Sequence, residues 1–186
     1  MKITIVRHGK PRELPTTKIS ALKMGDWIRA YDSSPLSELS QPVLELQKLA
    51  QDCKFIVCSD LCRSIESAER LGKEKILIKS PLFSEAGMPY PNSVAFSLRP
   101  HTWAAIFRIV WLLGYSSNAE SYASAKVRAK QASSEVVQLS KKHGHIMYVG
   151  HGMFNRLVVK ELRRNGWQGS KHPSREYWGF NVYEAP

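Results

Sequence analysis

The feature that most constrains the fold is an alternation of short apolar runs with stretches of helical periodicity. Lys2–Val6 (KITIV), Phe55–Cys58 (FIVC), Ile76–Ile78 (ILI) and Ile146–Val149 (IMYV) are rich in β-branched residues and too short for helices. Runs of this kind fit strands buried on both faces. Amphipathic segments lie between them. Residues 42–51 put Val43, Leu46, Leu49 and Ala50 on one face, with Pro42 suited to the first turn. Ser59 or Asp60 is placed to cap a helix carrying Leu61, Ile65, Ala68 and Leu71 inward and stopped by Gly72. Residues 153–164 gather Phe154, Leu157, Val158 and Leu162. Strands alternating with helices predict an α/β fold, a three-layer α/β/α arrangement with a mainly parallel sheet.

The rest of the chain fits around that frame. Residues 20–32 read as a short helix interrupted near Gly25, and Ala86 to about Arg99 as a loop or lid. Helices are expected from about His101 to Leu113 and from Ala119 to Lys142, and a closing strand over Trp178–Tyr183. The segment 86–142 is therefore expected as a helical insertion at one end of the sheet, shaping substrate access. Within it Trp103, Ile106, Phe107, Val110 and Trp111 form one helical stripe, read as core in preference to a substrate wall or dimer contact. At 186 residues the chain suits one domain, 1–186.

Composition narrows the setting. Hydrophobic residues at 43% and charged ones at 23% are those of an ordinary globular protein. The apolar stretch before Arg7 is too short for a secretory or membrane segment. With an odd cysteine count, a reducing, cytoplasmic setting is expected. Cys58 and Cys62 lack the second pair or nearby histidine of a metal site and read as small buried hydrophobes; no metal is implied. The net charge of +11 suits an anionic partner. Yet the densest basic groups, Lys141-Lys142-His143 and Arg163-Arg164, fall at helix ends, where they complement the dipole. No RRM, KH or helix-turn-helix pattern is present, which argues against nucleic acid.

The residues with chemical potential stand just past the strand ends. His8 comes directly after the first strand, Arg63 a short turn after the second, Glu85 after the third and His151 two residues after the fourth. Ligand sites of open parallel sheets collect outside the carboxyl ends of the strands. The prediction is one edge carrying Arg7, His8, Arg63, Glu85 and His151.

Arg7-His8-Gly9, Ser59-Asp60-Leu61-Cys62-Arg63-Ser64 and Gly150-His151-Gly152, in this order and context, resemble the histidine phosphatase superfamily of phosphoglycerate mutases and their phosphatase relatives. The likeness runs from residue 3 to about residue 158, loosely in the middle. It implies a phosphoglycerate mutase-like fold and hydrolysis of a phosphate monoester through a phosphohistidine on His8. Arg7, Arg63 and His151 would hold the phosphoryl oxygens, and Glu85 would be the general acid. Nearby arginines would keep His8 unprotonated, and their planar guanidiniums suit paired bonds to phosphate. Asp26 and Asp60 are the competing carboxylates, Asp60 more simply a helix cap.

The chain departs from the pattern after Gly9. Many relatives carry a small or acidic residue and then an asparagine; here the chain reads Lys10-Pro11-Arg12. Lys10 and Arg12 either supply a second anionic subsite or face water. No P-loop or metal-ligand pair is present, so no cofactor is implied. The expected partner is a small phosphorylated substrate or a phosphohistidine protein. A phosphoglycerate-type mutase is the alternative, disfavoured because the chain ends with a strand soon after His151 without an evident C-terminal lid. A catalytically silent phospholigand-binding module is the other. Substrate and oligomeric state stay open.

Overall fold

A computed structural model describes residues 1–93 and 95–186. In chain order its first elements are β1 (Lys2–Arg7), β2 (Ile19–Ser20), α1 (Met24–Asp32), α2 (Leu44–Asp52), β3 (Phe55–Cys58), α3 (Cys62–Gly72) and β4 (Ile76–Lys79). Then come β5 (Ser97–Leu98), α4 (Pro100–Leu112), α5 (Tyr122–His143), β6 (His145–Gly150), α6 (Gly152–Arg164) and β7 (Phe180–Glu184). Five strands pair in the order β4-β3-β6-β1-β7. The first four are parallel to one another, and β7 joins β1 antiparallel.

The pleat sorts the strand residues between two cores. Ile3, Ile5, Val57, Ile146 and Tyr148 pack with α5 and α6. Val6, Ile56, Cys58, Met147 and Val149 pack on the other side with Leu46 and Ala50 of α2 and Ala68 of α3. Helices thus cover both faces, the expected three-layer α/β/α sandwich, and account for runs with no polar alternation. A third cluster, Ala21 and Met24 with Trp103 and Phe107, fastens the α1 region to α4.

Several local expectations change. Gly25 does not interrupt α1, which runs unbroken from Met24 after a 3-10 turn at Ala21–Lys23. Pro42 precedes α2, and Val43 is its exposed N-cap residue. Neither Ser59 nor Asp60 caps α3; Leu61 holds that position, because the Ser59 hydroxyl is engaged with a histidine ring. Cys62 is only half buried and donates its thiol to Glu66, whereas Cys53 and Cys58 are buried thiols pushed up to about 12 by that burial. The 86–142 segment contains a short strand, β5, paired with β2. Its long helix α5 is also part of the sandwich, with a face of Ala125, Ala129, Ala132 and Val136 in the core. In the α4 stripe Trp103, Phe107 and Trp111 are buried, but Ile106 is exposed. Among the described residues no helix is long and apolar enough to cross a membrane.

Candidate active site

Strand register decides where the polar side chains leave the sheet. Arg7 pairs with Gly150 across β1 and β6, and the His8 N–H donates to the Gly150 carbonyl at 3.0 Å. His8 and His151 therefore step off adjacent strands at the same level, with ring centroids 5.0 Å apart. Cys58 pairs with Val149, which sets Ser59 beside His151. The Ser59 hydroxyl lies 2.7 Å from His151 Nε2. The chain then turns into α3, so Arg63 enters from the first helical turn. His8, Arg63 and His151 are 2%, 1% and 0% exposed.

Small polar residues lock this corner. The Ser64 hydroxyl donates to the Val149 carbonyl at 2.8 Å, and Ser67 accepts from the Gly9 N–H at 2.9 Å. Asn155 accepts from the His151 N–H at 3.1 Å and donates to the Val6 carbonyl at 3.1 Å, tying the two central strand ends. Gly9 is required by packing: a Cβ there would stand 2.5 Å from the Trp178 ring.

Proton counting assigns the ring tautomers. His8 Nδ1 lies 2.7 Å from the Gly9 carbonyl, which can only accept. Nδ1 therefore carries the proton and Nε2 keeps its lone pair. The Ser59 hydroxyl accepts from the Leu61 N–H at 3.2 Å. Donating its own proton to His151 Nε2 satisfies both groups and leaves that ring's proton on Nδ1. Burial, more than the arginines, holds both histidines well below the usual imidazole range. For His8 the charges of Arg63 and Arg7 add to burial; for His151 repulsion from any proton taken up by His8 and the charges of Arg63 and Arg7 do so.

The guanidiniums are held and incompletely satisfied. Arg63 donates to the Tyr31 carbonyl at 3.0 Å and to Asp32 Oδ1 at 3.1 Å, and lies 4.7 Å over the Tyr31 ring. Arg7 donates to the Arg175 carbonyl and lies 4.3 Å over the Tyr177 ring. Arg7 Nε, Arg63 Nε and His151 Nδ1 are buried without a partner among the described residues. Such donors cost roughly 1–3 kcal/mol each unless something completes them.

Glu85 lines the same cavity of about 540 Å³ as Arg7, His8 and Arg63. Its carboxylate accepts from the Ala86 and Phe154 N–H groups at 2.8 Å each and from the Met153 N–H at 3.2 Å, so it also caps α6. Arg128 donates to the Leu82, Ser84 and Glu85 carbonyls and is paired with Glu120, clamping the loop that presents Glu85. The competing carboxylates lie elsewhere: Asp26 is paired with Arg29 and Asp60 with Ser84, both at the surface. A carboxylate not singled out in the sequence, Asp32, does line the cavity, and burial raises its pKa against the opposing pull of Arg63.

Lys10 and Arg12 are not brought to His8. They line a smaller adjoining recess of about 270 Å³ and are paired with Glu13 at 2.6 Å and Glu38 at 3.9 Å. The roles of Ser59, Ser67, Asn155, Asp32 and Arg128 escape a sequence reading because each acts through a partner distant in the chain. The only local signal is the cluster of serines around Arg63 on an otherwise apolar helix face.

A profile of the histidine phosphatase superfamily (branch 1) matches residues 3–183. The chain belongs to that superfamily. No curated protein matches it. Solved structures share the fold at low identity. An open-reading-frame product of Mycobacterium tuberculosis is 15% identical with a TM-score of 0.61, over 97% of this chain and 89% of that one. A mycobacterial glucosyl-3-phosphoglycerate phosphatase is 17% identical with a TM-score of 0.57, over 88% and 79%. The ecdysone phosphate phosphatase of Bombix mori, in complex with tungstate, is 15% identical with a TM-score of 0.58, over 100% and 92%.

Proposed function

We propose that this protein, as a single domain over 1–186, hydrolyses a phosphate monoester through a phosphohistidine formed on Nε2 of His8. The supporting observation is that His8, its Nε2 unprotonated, lies 5.0 Å ring to ring from His151 and lines one cavity with Arg7 and Arg63, and that Arg7 Nε, Arg63 Nε and His151 Nδ1 are buried without a partner among the described residues. Nε2 attacks phosphorus and the bond from phosphorus to the ester oxygen breaks. The three donors take the phosphoryl oxygens and stabilise the charge on them as the group transfers. The departing oxygen receives a proton carried on Oε2 of Glu85, an oxygen that among the described residues accepts the Met153 N–H alone and has a lone-pair site to hold that proton. Water then attacks phosphorus, its proton returns to the carboxylate, and the P–N bond breaks to release inorganic phosphate. No step calls on a metal or cofactor.

A second reading concerns only the acid. Asp32 lines the same cavity, and its burial favours the protonated form. The two separate by leaving group. Losing the true acid slows esters of poorly leaving alkyl alcohols far more than p-nitrophenyl phosphate, so Glu85→Gln and Asp32→Asn are compared on both.

The deciding experiment is phenyl phosphate hydrolysis in EDTA by the natural protein and by His8→Ala. The expected loss is at least about 10³-fold, with a base-stable, acid-labile phosphoryl label trapped only on the natural protein. Equal activity in His8→Ala sinks the mechanism. Phosphate release measured against transfer between phosphoglycerates separates hydrolase from mutase, and phosphate binding without turnover of any ester would mark a silent binding module.

A further inference from the structure

The cavity extends well beyond the phosphoryl end. About 540 Å³ is the size of a site for a whole small molecule, and one phosphoryl group fills little of it. The remaining wall is built of rings: Trp27 and Tyr31 from α1, Tyr90 from the loop after Glu85, and Tyr177 ahead of β7. Trp27 and Tyr31 stack almost parallel with centroids 5.4 Å apart, and His101 meets Trp27 edge-on at 5.8 Å. Tyr90 joins this wall because Gly25 has no side chain; a Cβ there would lie 2.7 Å from the Tyr90 ring.

Two polar side chains at this end, Asn118 and Arg108, are already committed. The Asn118 amide donates to the Tyr90 carbonyl and to Asn92 Oδ1, at 2.9 Å each. Arg108 donates to the Ala86 and Gly87 carbonyls at 3.0 and 3.2 Å. The hydroxyls of a polyol seated here would lose bonds to water and find this amide and guanidinium already engaged, a poor trade for a buried polar group. A ring has little to lose and gains stacking. Among the described residues the Trp27 indole N–H is buried with no protein acceptor.

We propose that the leaving group of the substrate carries a planar aromatic ring with a hydrogen-bond acceptor at its edge, held by Trp27, Tyr31 and Tyr90 while the phosphoryl group lies against His8. This rests on His8 being the phosphoryl acceptor. The ring is that of a nucleobase or of a simpler aryl alcohol. Trp27 and Tyr90 are then specificity determinants for a reaction carried out at the other end.

The test compares kcat/KM for esters matched in leaving-group chemistry: adenosine 5′-monophosphate against ribose 5-phosphate, and benzyl phosphate against ethyl phosphate. The ring-bearing member is expected to win by about tenfold or more. Preference in the first pair identifies a nucleoside, and preference in the second alone an aryl alcohol. Trp27→Leu, which keeps apolar bulk but removes the ring, brings the ratio to about two or below. Gly25→Ala, which displaces Tyr90, lowers it independently. Ratios near one in the natural protein, or ratios that Trp27→Leu leaves unchanged, overturn the proposal. If phenyl phosphate is still hydrolysed through His8 in that case, hydrolysis stands and only the aromatic site falls. If no ester is turned over through His8, the underlying reading fails first.

Discussion

The two ends of the cavity are built by different means. At the phosphoryl end, Arg7, His8 and His151 leave the sheet at the ends of β1 and β6, and Arg63 stands in the first turn after β3. Backbone ladders hold their positions. At the ring-lined end, Trp27 and Tyr90 come from two segments that no strand of the main sheet positions, held by side-chain packing on α4 and by Gly25. Under the proposed roles, chemistry sits on the rigid frame and recognition on what is packed over it, a division that lets substrate choice change without disturbing the reacting groups.

Substitutions at the first end are expected to act on every ester alike, and those at the second only on ring-bearing ones. After His8→Ala, Arg63→Ala should give the largest effect. It removes a phosphate donor and empties a buried site, so kcat/KM falls about 10³-fold, and the melting temperature drops as the Tyr31 and Asp32 contacts go. Arg63→Lys should recover little, because a point charge cannot reproduce the fork. A loss confined to ring-bearing esters would break the division. His151→Ala should come next, at about 10²-fold. Ser59→Ala, which frees the His151 tautomer, should cost less than His151→Ala and shift the pH profile rather than weaken ring preference.

The pH dependence sharpens the same point. Both histidines are buried neutral and held below the ordinary imidazole value. Below about pH 6.5 the unfolded chain binds protons that the folded one refuses. Stability is therefore fully present above that pH and falls as pH drops through the window down to the lowered folded values. The acid limb of kcat/KM should likewise lie below about 6.5 and be the same for ring-bearing and ringless esters. Inorganic phosphate, by completing the unpaired donors, should raise the melting temperature. Thermal unfolding with and without phosphate checks this, and no shift would count against an anion site. The smallest effect is expected from Lys10→Ala and Arg12→Ala, whose charges are exposed and already paired. A change beyond about twofold in either would reassign them to the substrate.

Much of the phosphoryl end was readable because its signals are local. An apolar run ending in Arg7-His8-Gly9 places a histidine at a strand end whatever the rest of the chain does, and the same holds for Gly150-His151-Gly152. Arg63 in a helix's first turn was also visible, though not its burial between Tyr31 and Asp32. The capping role expected of Ser59 was wrong for an instructive reason: a hydroxyl near a helix start is indistinguishable in sequence from one placed by register beside an imidazole. Gly25 looked like a helix break, yet its missing side chain makes room for Tyr90 without interrupting α1.

The sequence by itself determined the layered α/β architecture and the superfamily, because pleat alternation, helix periodicity and strand-end motifs are set by neighbours along the chain. Only the tertiary structure decided the register that brings His8 to His151, the serine that orients the second ring, Asp32 as a second carboxylate in the cavity, and the aromatic wall. Each depends on contacts between residues tens to more than a hundred positions apart. Such contacts form when whole elements pack, so no local pattern records them.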